Sequence, residues 1–233
     1  MPTPGFAIEW DKTGERLYET GVDRVVLYPI RDVISDPTNP YDAGVAWNGV
    51  TSISQSASGG EPTPLWADNI KYLNLMSAEE ASLSIEAYTY PDEFEACDGS
   101  RTIVQGAIIG QQSRKMFGLT YRTLLGNDQK QTDYGYKIHL VYGCLASPSD
   151  RSYATVNDSP EAISFSWGVT TTPVEVSGFK PTSIITVDST KVGTGKMAAL
   201  ETILYGTAAS GNDSAVAAKL PLPAAVVTAL TVN

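Results

Sequence analysis

Side-chain chemistry in this 233-residue chain would have to run through very few residues. His139 is the single histidine, and Cys97 and Cys144 are the only cysteines. One imidazole and two distant thiols supply no zinc-type ligand spacing. A Ser-His-Asp relay would have to use His139, and no nucleophile-elbow motif is present to seat its serine. His139 stands between Ile138 and Leu140 in a strand-like run, the setting of a packed or rim histidine. Val192–Met197 (VGTGKM) has the outline of a phosphate loop, but Thr190 occupies the place of the first glycine. Met197 stands where a Ser or Thr would hold magnesium. The paired acids Glu79-Glu80 and Asp92-Glu93 are the residue types a glycoside hydrolase uses, yet neighbouring acids in exposed turns are ordinarily solvated. The expectation is a non-enzyme with no catalytic residue, no metal and no cofactor.

Charge carries more information. The formal net charge is −10, which argues against adhesion to nucleic acid through its phosphates. Between Lys71 and Arg101 there is no basic residue, while Glu79, Glu80, Glu86, Asp92, Glu93, Glu95 and Asp98 all fall inside. The following segment, Arg101–Lys137, carries six basic residues against Asp128 and Asp133. Two oppositely charged neighbours can pair within one subunit, or they can steer identical copies into head-to-tail contact.

The elements that position these residues read as mainly β. Twelve tyrosines and regular Gly and Pro favour strands and turns. No apolar stretch approaches the ~20 residues that span a membrane, and the N-terminus lacks a basic region followed by an apolar run. Two cysteines in a chain folding in a cytoplasm are expected as free thiols, where the Asn157 and Asn212 Asn-x-Ser matches carry no glycan.

Residues 1–20 read as an extended arm and Arg24–Ile30 as a strand. Gly44–Ser56 reads as a strand or hairpin turning at Asn48-Gly49. Ala57–Pro64 (ASGGEPTP) is the strongest loop signal, with two glycines for unusual backbone angles and two prolines that remove donors. The stretch Leu65–Gly99 is expected to hold two strand-like runs joined by an acidic turn. In Ala81–Tyr90, Leu83, Ile85, Ala87 and Thr89 alternate with Ser82, Ser84, Glu86, Tyr88 and Tyr90, the mark of a half-buried strand. Pro91–Ala96 suits one helical turn ended by Asp98-Gly99.

Met116–Leu124 and Tyr136–Leu145 read as a hairpin about Gly126-Asn127-Asp128. Glu161–Thr172 and Ser183–Val187 read as further strands. In residues 195–205 the period changes. Met197, Leu200, Ile203 and Leu204 fall at helical spacing and Gly206 supplies the stop. The sum is an antiparallel sandwich or barrel with one flanking helix. Residues 21–206 form the domain, and 207–233 a C-terminal arm or mobile tail.

The succession ADNIKYLNL, EE, IEAYTYPDEFEACDG, IIGQQSRKMFGLTYRTLLGND, DYGYKIHLVYGCLASPSDRSYATVNDSPEAISFSW and KPTSIITVDSTK resembles the major tail protein, or tail tube protein, of long non-contractile-tailed bacteriophages (siphophages). The match is continuous in order over residues 40–206. The chain after Gly206 is too short for the immunoglobulin-like domain that some members carry.

What the resemblance implies is a structural virion protein, a β-sandwich flanked by a helix with extended terminal arms. Such proteins self-assemble in the host cytoplasm as hexameric rings stacked into a tail tube, the conduit for genome ejection. Implied partners are the chain itself, a tape measure protein and tail-end proteins. Double-stranded DNA only passes through the lumen, and no membrane is involved. A long loop between early strands reaches the adjacent ring. Its candidates here are Ser56, Gly59, Gly60, Glu61, Pro62, Pro64, Leu65 and Trp66, within Ser56–Asn69. Candidate lumen-facing acids are Glu79, Glu80 and Glu86, since an acidic wall repels phosphates. Competing readings are a monomeric β-sandwich carbohydrate- or surface-binding module using Tyr88, Tyr90 and Trp66, and a β-rich hydrolase using the paired acids.

Overall fold

The computed structural model describes residues 7–149, 151–156, 158, 162–210 and 214–231. The first six residues of the expected arm, Glu161 of the expected strand, and Asn157, Ser159, Asn212 and Asp213 of the glycan motifs lie outside the described residues. The described residues form twelve strands: β1 Leu17–Pro29, β2 Val45–Ala46, β3 Val50–Gly59, β4 Pro62–Ala67, β5 Ile70–Met76 and β6 Glu79–Ala87 come first. β7 Arg101–Val104, β8 Ala107–Ile109, β9 Phe117–Asn127, β10 Gln131–Ala146, β11 Phe165–Thr171 and β12 Ile184–Asp188 follow. The helices are α1 Glu95–Asp98, preceded by a 3-10 turn at Asp92–Phe94, α2 Thr194–Tyr205 and α3 Pro223–Thr231.

All ladders are antiparallel, in the order β2-β1-β9-β10-β11-β6-β3, with β12 also on β10. β10 changes partner along its length. Lys137–Val141 pair with β12, and Cys144–Ala146 pair with β11. The change falls at Gly143, which has φ +59°, and a Cβ there would stand 2.3 Å from the Thr172 carbonyl oxygen. Only glycine fits that bulge. It folds the ladder over on itself, so β2 and β3, at opposite ends of the strand order, are joined by just Trp47–Gly49. The Asn48-Gly49 turn forms as expected, but the strands on either side pair with different partners.

Alternation along the strands divides the apolar residues into two cores. Val25 and Leu27 of β1, Phe117 and Leu119 of β9, Ile85 of β6 and Trp167 of β11 face inward between the two halves of the sandwich. Phe94 plugs that core, packing edge-on against Trp167 and Phe117. The intervening residues Val26, Tyr28, Ile138, Leu140 and Tyr142 face the other way and are covered by Met197, Leu200 and Leu204 of α2, with Leu220 and Val226. Tyr28 donates to the Leu204 carbonyl at 2.7 Å, and Tyr142 to that of Pro221 at 2.9 Å, so these buried hydroxyls are satisfied.

Four expectations change. Residues 57–64 are mostly strand, not loop: β3 runs to Gly59 and β4 begins at Pro62. Glu79 and Glu80 stand in β6 rather than in a turn. The chain after Gly206 is no free tail, because Thr207 bridges Val216 and α3 packs Val226 onto the sheet. Residues 17–20 of the expected N-terminal arm belong to β1, where they pair with β9.

Candidate functional site

The single histidine and the two cysteines are packed within the fold. His139 stacks on Tyr121, with ring centroids 4.7 Å apart. Its Nε2 lies 2.9 Å from Thr123 Oγ1 and its Nδ1 3.0 Å from Thr186 Oγ1. Burial holds its pKa below the usual imidazole range, against the opposing pull of Glu19, which lies 3.5 Å away. Cys97 and Cys144 are free and buried in the inner core. Burial pushes the Cys97 thiol up to about 12 and raises Cys144 as well, so neither is a thiolate near neutral pH. The VGTGKM run opens α2, yet the donors of the preceding turn are already used. Thr190 gives both its backbone N–H (2.9 Å) and its hydroxyl (2.6 Å) to Asp188 Oδ1. Among the described residues, no three His, Cys, Asp or Glu side chains converge on one point.

Two residues of the acidic run also have inward roles. Asp98, only 6% exposed, forms an ion pair with Arg151 and accepts the Trp167 indole N–H at 3.1 Å. Tyr90 packs edge-on against Phe165 and Trp167, because regular pairing in β6 ends at Ala87 and the alternation lapses there. It therefore does not share an exposed face with Tyr88, which stays at the surface.

What distinguishes this molecule is what it leaves uncovered. Among the described residues β4 and β5 form a two-stranded ribbon paired only with each other, and every residue from Glu61 to Glu80 is exposed. The ribbon continues β3 and β6 past a kink at Gly59-Gly60, both at positive φ, where the Gly60 N–H donates to Ser77 Oγ. It closes on Asp68-Asn69, with φ +52° and +61°, the signature of a type I′ turn. Pro62 and Pro64 are two residues apart, so both missing N–H groups fall on one edge, which can be only the unpaired one. Trp66 (68% exposed), Ile70, Tyr72, Leu75 and Met76 stand in solvent on this ribbon. A smaller ribbon, β7–β8, likewise leaves Ile103, Val104 and Ile108 uncovered.

The candidate loop residues therefore occupy one continuous feature: Ser56 and Gly59 end β3, Gly60 and Glu61 make the kink, and Pro62, Pro64, Leu65 and Trp66 build β4. The three candidate acids separate. In β6, Glu80 and Glu86 share the outer face with Ser82 and Ser84, whereas Glu79 has the parity of Leu83 and Ile85. Register places Ser52, Ser54, Ser56 and Ser58 of β3 opposite Glu86, Ser84, Ser82 and Glu80. Ser166, Gly168 and Thr170 of β11 extend this face on the other side. The result is a small-residue polar sheet face with two glutamates and no cation, bounded by the open edge of β3. The serine alternation in 52–58 was readable in the sequence, but only the register shows that it meets Glu80 and Glu86.

No family model matches this chain, and no curated protein matches it.

Proposed function

We propose that the chain is a structural subunit that assembles with copies of itself into a tube of the siphophage tail-tube type, a virion component through which double-stranded DNA passes. The observation that carries this reading is the exposed β4–β5 ribbon. A projection that uncovers Trp66, Ile70, Tyr72, Leu75 and Met76 has no folding benefit within its own subunit; large exposed apolar surface marks an interaction site. Its position between early strands suits the inter-ring loop implied by the resemblance.

The bare β11–β6–β3 face supports the same reading. Its open β3 edge presents unpaired backbone groups that a neighbouring strand can satisfy. Its serines and its Glu80 and Glu86 suit a lumen wall that does not hold phosphates. Glu79, on the opposite parity, is the weakest of the three lumen candidates.

Negative-stain electron microscopy of the purified chain, at low and high concentration, tests the proposal. Hollow tubes or six-fold rings are expected, and a single-chain species at every concentration counts against it.

A further inference from the structure

The sequence left open whether the acidic and basic segments pair within one subunit. The ion pairs of the basic segment go elsewhere: Arg122 to Asp23, Lys137 to Glu19 and Lys115 to Asp32. None of Glu61, Asp68, Glu79 and Glu80 is in an ion pair among the described residues. Around the β4–β5 ribbon these four acids stand against Lys71 alone, leaving three net negative charges over residues 61–80. Residues 101–115, which contain the β7–β8 ribbon, carry Arg101, Arg114 and Lys115 and no acid; with Lys115 already paired to Asp32, two net positive charges are left. Both ribbons also expose aliphatic side chains, Leu75 and Met76 on one and Ile103 and Ile108 on the other.

Their placement sets the bases of the two ribbons apart within a subunit and favours meeting between copies. β6 runs from Glu79, at the base of the first ribbon, to Ala87, whose end of the sandwich holds Phe94 and α1 and leads through Gly99 into β7. Nine residues of strand separate the two bases by about 25 Å. Two different, complementary surfaces at opposite ends of one subunit make a heterologous contact that repeats without self-closure along the stack.

We infer that the acidic β4–β5 ribbon of one copy docks on the basic β7–β8 ribbon and the adjoining Arg114–Lys115 of the next. This rests on the tube reading and names the surface that the ribbon engages.

The test is charge reversal in the full chain, read by sedimentation velocity and electron microscopy, with thermal melts to confirm folding. Glu61→Lys with Glu79→Lys makes the first ribbon positive and leaves Glu80 of the bare face unchanged. Arg101→Glu with Lys115→Glu makes the second negative. Each set alone is expected to lower the assembled fraction on the order of tenfold or more, because like charges then face each other. Both sets in one chain are expected to restore assembly to within about threefold of the unmodified protein, since opposite charges face again. Unchanged assembly of either set overturns the inference while leaving the tube reading intact. So does failure of the combined chain to recover while its melt is normal. If the unmodified chain never assembles, the tube reading fails and this inference fails with it.

Discussion

The two halves of the sandwich treat their outer faces in opposite ways. Between β1, β9, β10 and β12 the outward residues are Val26, Tyr28, Ile138, Leu140 and Tyr142, and α2 and α3 cover them. On β3, β6 and β11 the outward residues are serines, Thr170, Gly168, Glu80 and Glu86, and among the described residues no helix packs over them. A face that needs water or a neighbour is written in small polar residues; a face that must exclude water is written in aliphatic and aromatic ones. The same strand geometry serves both, so side chains alone decide which half is an interior layer. The contrast also assigns work: the covered half holds the subunit together, and the bare half is free to meet something else.

The largest effect should come from opening the covered face. Leu200→Ala removes a fully buried side chain between α2 and the sheet and should cost about 2–5 kcal/mol. Ser84→Ala, on the bare face, should stay within about 0.5 kcal/mol. Urea unfolding of the two variants measures the difference directly. Similar losses would mean that the bare face contributes to the subunit core after all.

A smaller effect is expected where the two halves meet at their end. Asp98 lies beneath Arg151, whose guanidinium also sits 5.9 Å from the Tyr90 ring centre and 5.8 Å from that of Phe165. Arg151→Ala strands a buried carboxylate that retains only the Trp167 indole as a partner. Because Arg151 is itself about a third exposed, the loss should be about 1–3 kcal/mol, below that of a fully buried pair. Asp98→Asn in the same background should recover part of it, measurable in a double-mutant cycle.

The covered half was largely legible in the sequence. Val25 and Leu27 against Val26 and Tyr28 is a period-two pattern apolar on both faces, which requires layers on both sides. Met197, Leu200 and Leu204 announced α2 by helical spacing. α3 was missed although Pro223, Val226, Val227 and Leu230 follow the same spacing with proline in the first turn. Its alanines and the Pro221 and Pro223 breaks resembled a tail.

The β4–β5 ribbon was misread because the glycines and prolines that signal a loop here serve a kinked strand. Gly59-Gly60 bend it, and Pro62 and Pro64 sit on an edge that pairs with no other strand among the described residues. That distinction depends on where the chain returns, at residues 70–80, and no local window contains it. Tyr90 was likewise misassigned; Asp98 ends its helical turn as expected, but its burial beneath an arginine 53 residues away cannot be read from its neighbours.

The smallest effect is a pH dependence that should belong to the covered half alone. His139 lies on the inward face of β10, walled by Tyr121, Thr123 and Thr186, with Glu19 and Lys137 the charged groups beside it. Burial lowers its folded pKa, despite the pull of Glu19. The unfolded chain therefore takes up a proton below about pH 6.5 that the folded chain refuses, and stability falls as pH drops through the lowered folded value. Glu19, Asp23 and Asp188 are also lowered, so they add loss of the same sign, but only below the carboxylate range near pH 4.5. Between pH 7.5 and 5.5 the histidine should act alone. His139→Gln, which can still hydrogen-bond to Thr123 or Thr186, should flatten the urea midpoint across that window. A slope unchanged by the substitution would place the titrating group elsewhere.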